Sequence, residues 1–318
     1  MSGADETLLD LALSGVTIDR AASERAEEGV ARAAADPRTR VLVLRDGLAQ
    51  VRLEDGHPSA SLVFRGVRPE DLQAPPRFLG RHDGVAYLAV DDPDGQDHAS
   101  GAGPDAAGAH WRSLRDLGAD LSDSDAGLLT TATALHGWHR TSRHCTRCGA
   151  PTEVVDGGWV RRCPQDGSEH YPRTDPAVIM AIVDEHDRIL LGTGLPWPEG
   201  RVSVLAGFVE AGESLEAAVA REVYEEVGVA VTDLTYRGNQ PWPFPASLMF
   251  GFRGRALSTE LTIDPAEIRY AAWFTREELA AKVWDGTLTL PSRLSIARAL
   301  IEEWFGGPVR EPERTHPT

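Results

Sequence analysis

The segment GFVEAGESLEAAVAREVYEEVGV, Gly207 to Val229, constrains this 318-residue chain more than any other. Leu215, Val219, Val223 and Val227 recur every fourth residue, which places them on one stripe of an α-helix, and Gly228 follows as a C-terminal stop. Such a helix must lay its stripe on a core. Beside that stripe Glu222, Glu225 and Glu226 stand at i, i+3 and i+4 and project within a sector of roughly 100°. Three carboxylates that close repel one another, so the cluster predicts a cation upon it, with a plain solvated acidic face as the alternative. Hard divalent ions such as Mg2+ take oxygen ligands of this kind and bridge them to phosphates. Arg221, one residue before the first glutamate, is placed to pair with a carboxylate and hold its orientation.

The rest of the chain says what surrounds this helix. Its length exceeds what one hydrophobic core usually serves, which predicts two globular units and a small module. A formal charge of −17 disfavours broad contact with nucleic acid, so an anionic substrate needs a metal ion or a local basic patch. The apolar run PAVIMAIV is too short to span a bilayer, and the start MSGADETLLD lacks the regions of a secretory signal, so a cytoplasmic protein without a membrane partner is expected. The first third reads as an Ala-rich helix near 21–35 and the strands RVLVLRD, SLVF and GVAYLAV, then a Gly/Asp/Ala-rich surface loop over 91–109 and a helix over about 125–140. YPRTDP suits an extended linker, AVIMAIVDEHDRILLG reads as two strands about a polar turn, and the tail GGPVREPERTHPT is expected to fray. No internal repeat stands at the periods of solenoids or propellers.

Two further features carry chemistry. Cys145-x2-Cys148, followed after fourteen residues by Cys163, is the front of a zinc-ribbon pattern, and three cysteines in one window are no framework for a secreted disulfide protein. In NQPWPFPASLM, Pro241, Pro243 and Pro245 stiffen a segment in which Trp242 and Phe244 either wall a pocket for a flat ring or pack as a surface connection.

The long motif resembles the Nudix box at every fixed position: Gly207, five residues, Glu213, seven residues, then REVYEEVGV from Arg221 to Val229. That resemblance implies a Nudix fold, a mixed sheet sandwiched between helices, and hydrolysis of a nucleoside diphosphate linked to another moiety. Metal binding by Mg2+ or Mn2+ falls to Glu222, Glu225 and Glu226, with Glu213 and Arg221 in support. The general base stays open between Glu225, Glu226 and a carboxylate outside the box. Gln240 to Ser247, QPWPFPAS, resembles the mark of the NADH pyrophosphatase (NudC-like) subfamily of Nudix hydrolases, although Asn239 replaces its usual serine. The resemblance extends to the three cysteines, to Tyr171-Pro172 and to AGFVE at 206–210.

The subfamily resemblance implies that Phe208 and Tyr171 stack on a nicotinamide or base, against the alternatives that Phe208 is core and Tyr171 caps the zinc module. Gln240, Trp242, Phe244 and Ser247 join the substrate side. Glu267 in DPAEIRYAAWF stands where a further metal-binding glutamate is expected, with surface charge as the alternative. The second cysteine pair of the subfamily would end at position 166, where this chain has Asp166, so the structural zinc would be held by Cys145, Cys148, Cys163 and either Asp166, His170 or His144. A vestigial module held by packing and free thiols are the competing readings.

The expectation is therefore an α+β protein: an N-terminal mixed α/β domain over 1–143, a zinc-ribbon-like module over 144–172, a Nudix domain over 173–306 and a flexible tail over 307–318. Its expected activity is metal-dependent hydrolysis of the pyrophosphate bond of NAD(H) to nicotinamide mononucleotide and AMP, with NAD-capped RNA 5′ ends as a further substrate and a homodimer as the assembly. The alternatives are a Nudix hydrolase of another diphosphate such as ADP-ribose, or a dinucleotide-sensing module without turnover.

Overall fold

A computed structural model describes residues 9–312 apart from 16, 54–58 and 93–107. Most of the loop expected over 91–109, and residues 313–318 of the tail, therefore lie outside the described residues. The chain divides into two compact units, one formed by residues 12–174 with Pro241–Ala246, the other by the chain up to Leu11, Asp175–Gln240 and the chain from Ser247 onward.

The first unit opens with helix α1 (Glu27–Ala35), strands β1 (Arg40–Arg45), β2 (Leu48–Leu53), β3 (Ala60–Leu62), β4 (Phe64–Arg65), β5 (Arg77–His82), β6 (Val85–Asp91) and β7 (Ala109–Arg112), and helices α2 (Leu114–Leu117) and α3 (Asp123–Thr141). The Ala-rich helix is shorter than its composition suggests, because the chain breaks at Ala26 (ψ 155°) and Arg25 is drawn 3.8 Å over the Trp159 ring. Tertiary contact overrides propensity there. The strands run in the order β3-β2-β1-β6-β5, with β4 on β1, β7 on β2 and β1 parallel to β6. A three-stranded sheet of β8 (Glu153–Val155), β9 (Val160–Arg162) and β10 (Glu169–His170) completes the unit.

The second unit carries β11 (Asp175–Val183), β12 (Ile189–Gly194), β13 (Leu205–Phe208), α4 (Leu215–Val227), β14 (Val231–Trp242), β15 (Ser247–Ala256), β16 (Ile268–Phe274), α5 (Arg276–Trp284) and α6 (Ile296–Phe305). Its sheet runs β14-β15-β11-β12-β16 with β13 on β11, and β11 lies parallel to β15. The unbroken apolar run of β11 is explained by burial on both faces. Val178, Met180 and Ile182 pack with Val219, Val223 and Val227 of α4, while Ile179, Ala181 and Val183 join Leu279, Val283, Leu300 and Ile301 of α5 and α6. This is the mixed sheet between helices that the Nudix resemblance implies. The two prolines of YPRTDP suit the extended passage into β11. Past α6, Val309 is buried and Arg298 pairs with Glu311 at 2.7 Å, which fastens the start of the tail. Among the described residues no helix is long and apolar enough to cross a membrane.

Candidate metal centre and zinc module

Helix α4 begins where Ser214 accepts a hydrogen bond from the Ala217 amide and ends at Gly228, whose φ of 73° is open to glycine at little cost. Val219, Val223 and Val227 are fully buried, each contributing about 1.5–3 kcal/mol of apolar burial. At about 100° per residue, Glu226 leans toward this buried stripe, Glu222 lies about 40° further round, and Glu225 about 60° beyond that. Burial follows the wheel: Glu222 and Glu226 are buried at 8% and 7% exposure, and Glu225 is exposed. The helix thus turns two of the three glutamates Glu222, Glu225 and Glu226 inward.

Glu267, just ahead of β16, completes the arrangement. Carboxylate oxygens of Glu222, Glu226 and Glu267 lie within 4.8 Å of one another. At an effective dielectric of ~20, each ionised pair at that separation costs roughly 3 kcal/mol. Arg221 relieves only part of this. Its guanidinium donates to both oxygens of Glu213 at 2.9 Å, to Glu222 Oε1 at 2.8 Å, to Glu225 Oε2 at 2.9 Å and to the Phe208 carbonyl at 2.9 Å. Burial, then the charges of Glu222 and Glu267, push Glu226 up to about 8, and burial raises Glu222 as well. Glu226 Oε2 is buried and has no hydrogen-bond partner among the described residues. An oxygen so placed, in a set of three oxygen donors, fits a hard divalent cation. Gly207 makes room for the set, since a Cβ at that position would lie 1.9 Å from the Glu222 carboxyl carbon.

The zinc module is built from two turns of the same design. Cys145, Cys148, Cys163 and Asp166 bring their ligating atoms within 4.8 Å of one another, and neither His144 nor His170 joins that set. Cys148 Sγ stands 3.4 Å from Cys163 Sγ, and Cys145 Sγ 3.6 Å from Asp166 Oδ2. Three sulfurs and one oxygen at this spacing suit a tetrahedral zinc ion. The Ser168 hydroxyl and amide lead in holding Asp166 well below the usual carboxylate range. Burial raises Cys163 to about 11, a cost that a bound cation offsets.

The substrate-side residues fall in different surroundings. Phe208 and Tyr171 are 57% and 60% exposed, so neither is core, and Tyr171 donates its hydroxyl to Glu169 at 2.7 Å. Gln240 is fully buried, with its amide donating to Leu294 O at 2.7 Å and accepting from Ile296 N at 2.9 Å, which fixes the start of α6. Trp242 and Phe244 meet edge to face at 5.1 Å, and Arg115 lies 4.4 Å over Phe244 and 5.6 Å over Trp242. Ser247 opens β15 opposite Asp175. A cavity of about 780 Å3 between Val202, Tyr270 and Lys282 is lined by none of the box carboxylates, so the carboxylates rather than volume locate the chemistry.

Residues 173–291 match the NUDIX domain, 140–171 the NADH pyrophosphatase zinc ribbon domain, and 28–138 the NADH pyrophosphatase-like rudimentary NUDIX domain. A protein of Mycobacterium bovis, NAD-capped RNA hydrolase NudC, is 39% identical over 325 residues, spanning 96% of this chain and 98% of its own. The chain belongs to the NudC family of Nudix hydrolases. Another relative at 39% identity, the human NAD-capped RNA hydrolase NUDT12, aligns over 197 residues, 58% of this chain and 43% of its own. Two features of the structure go beyond the sequence reading. Glu225 stands apart from the carboxylate cluster, which the angles of the helical wheel already contain. Ser168 touches Asp166, and the signal was the likeness of CTRCGA to CPQDGS.

Proposed function

We propose that this NudC-family enzyme hydrolyses the pyrophosphate bond of NAD(H), water adding to phosphorus as the P–O–P bridge breaks, to give nicotinamide mononucleotide and AMP. The same cut at the 5′ end of NAD-capped RNA is the activity named for its relatives. The observation that carries the reading is the cluster of buried Glu222 and Glu226 with exposed Glu267, in which one oxygen of Glu226 is unpartnered among the described residues. A divalent cation held there, Mg2+ or Mn2+, supplies neutralising charge for the diphosphate and polarises a phosphoryl oxygen. Glu226, protonated at neutral pH while its pKa stands near 8, releases that proton on loading. Arg221 ties Glu213, Glu222, Glu225 and the Phe208 carbonyl into one rigid group, so the liganding oxygens need little reorganisation.

On the substrate side, exposure of Phe208 and Tyr171 supports a stacking role for both, while the buried amide of Gln240 supports a role in holding the backbone beside Trp242, Phe244 and Ser247. The zinc set we assign is Cys145, Cys148, Cys163 and Asp166, with a structural role. A cytoplasmic homodimer, and the domain boundaries at 143, 172 and 306, complete the reading. Light scattering on the purified protein tests the dimer.

The decisive experiment incubates NADH, NAD+, ADP-ribose and short NAD-capped RNA with Mg2+ or Mn2+ and identifies the products, with Glu226→Gln as control. Nicotinamide mononucleotide and AMP from NAD(H), absent in the control, are expected. Preference for ADP-ribose over every nicotinamide substrate would refute the assignment while leaving the Nudix chemistry intact.

A further inference from the structure

The two turns of the zinc module are alike in backbone, and two of the side-chain differences between them fall at the ligand position and two residues after it. In the first, Gly149 N donates to Cys145 O at 2.9 Å, Cys145 N donates to Ala150 O at 2.7 Å, and Gly149 takes a φ of 78°. In the second, Gly167 N donates to Cys163 O at 3.0 Å, Cys163 N donates to Ser168 O at 2.8 Å, and Gly167 takes a φ of 70°. Asp166 therefore occupies the place of Cys148, and Ser168 the place of Ala150.

The two departures belong together. A thiolate has one ligating atom, whereas a carboxylate has two and can turn either toward a metal or away from it. Here one of the two is already taken: Asp166 Oδ1 accepts from Ser168 N at 2.9 Å and from Ser168 Oγ at 2.5 Å. Only Oδ2 faces the sulfurs, 3.6 Å from Cys145 Sγ. With its proton directed to Asp166, the Ser168 hydroxyl has Cys145 Sγ and His170 Nε2 each at 3.3 Å around its oxygen, which hold the serine in place, and His170 lies outside the Cys145, Cys148, Cys163 and Asp166 set. Ala150 could do none of this, and beside Cys148 nothing of the kind is needed.

Resting on the reading of the module as a zinc site, we propose that Ser168 is the positioning residue that lets Asp166 replace a cysteine. By holding Oδ1 it makes the aspartate a one-oxygen ligand of fixed direction, so the pair Asp166 and Ser168 acts as a unit equivalent to Cys148 and Ala150.

The test measures zinc in the full-length protein by plasma mass spectrometry, and the rate of zinc transfer to the chromogenic chelator pyridylazoresorcinol. Ser168→Ala is expected to release zinc about 10–100-fold faster, the usual cost of losing a partner that orients a ligand, and Ser168→Thr to stay near the parent rate. In an Asp166→Cys background, Ser168→Ala is expected to change the rate by less than about twofold, because a thiolate has no second oxygen to hold. Should the single alanine variant not fold, that second background decides by itself. An unchanged rate in Ser168→Ala, or equal acceleration in both backgrounds, overturns the proposal. Zinc-free parent protein, or Asp166→Ala holding zinc at the parent rate, overturns instead the zinc reading beneath it and the proposal with it.

Discussion

The sheets of the two units are wired alike. In the first, β1 has a hairpin partner β2, a parallel partner β6 and a short partner β4, with β5 beyond β6 and β7 beyond β2. In the second, β11 has β12, β15 and β13 in those places, with β14 and β16 outside. Between the short strand and the next hairpin the second unit inserts the thirteen-residue helix α4, and the first unit only the four-residue turn Pro69–Leu72. The acids differ accordingly. Asp71 of that turn accepts from Arg65 at 2.6 and 2.7 Å and from the Arg68 amide at 2.7 Å, so both of its oxygens are engaged. Glu226 keeps a buried oxygen without a partner. One scaffold serves both; chemistry belongs to the copy whose acids are left unsatisfied.

The sharpest way to break this comparison is to neutralise one acid in each copy. Glu226→Gln is expected to lower kcat by about 10²–10³-fold, the scale of losing one preorganised electrostatic contact, with no loss of thermal stability. Asp71→Asn is expected to do the reverse, lowering stability by about 3 kcal/mol through a broken buried pair while the folded fraction keeps its kcat. Steady-state kinetics and urea melts on both variants read the two effects apart. A dead but stable Asp71→Asn would erase the distinction.

Two glycines sharpen it further. Gly207 on β13 leaves the space that the Glu222 carboxylate fills, and Gly66 after β4 has nothing within 4 Å of a Cβ. Gly207→Ala must displace the carboxylate and is expected to weaken activation by Mg2+ about 10–100-fold. Gly66→Ala is expected to stay within about 0.5 kcal/mol of the parent in stability and to leave the metal dependence alone. Titration of activity against Mg2+ separates them.

What the sequence disclosed follows from how local each signal is. The apolar face and the C-terminal end of helix α4 were legible because the four-residue period and the stop Gly228 are both local, while its N-cap, Ser214, comes from the structure. Glu267 was reached only through resemblance, since its place beside α4 is set by the pairing of β16 with β12, which no local pattern encodes. The likeness of the two sheets is one of wiring, without a repeated motif, so it left no trace in a search for repeats. The Pro-rich stretch read as a loop, yet β14 runs to Trp242 and β15 resumes at Ser247; Pro241 is tolerated because β14 is an edge strand. The sequence leaves Asp166, His170 and His144 open as the fourth residue of the module, and only the distances set Asp166 beside the three cysteines.

Glu225 gives a smaller effect. It is exposed, stands outside the carboxylate cluster and touches Arg221 through one oxygen. Glu225→Gln is expected to cost about tenfold in kcat/KM, well short of Glu226→Gln. Equal losses would show that the inward and outward faces of the helix contribute alike.

The mildest test uses pH on the metal-free protein. Because Glu226 has a folded pKa of about 8, above the ordinary carboxylate value of 4.5, the native state binds a proton that the unfolded chain has already lost between those values. Its contribution to stability is complete below about pH 4.5 and is lost as pH rises through about 8. Tm without metal is therefore expected to drift down by a few degrees between pH 5 and pH 8, and the rise in Tm on adding Mg2+ to grow over the same window, since the cation replaces the departing proton. Glu226→Gln removes the titrating group and is expected to flatten both trends. Asp71→Asn leaves the buried carboxylates of α4 untouched, so its Tm is expected to start lower and drift with pH in parallel with the parent. A parent Tm that instead climbs from pH 5 to pH 8, with Glu226→Gln climbing alongside, would mean that the unpartnered oxygen of Glu226 does not govern the pH response of this site.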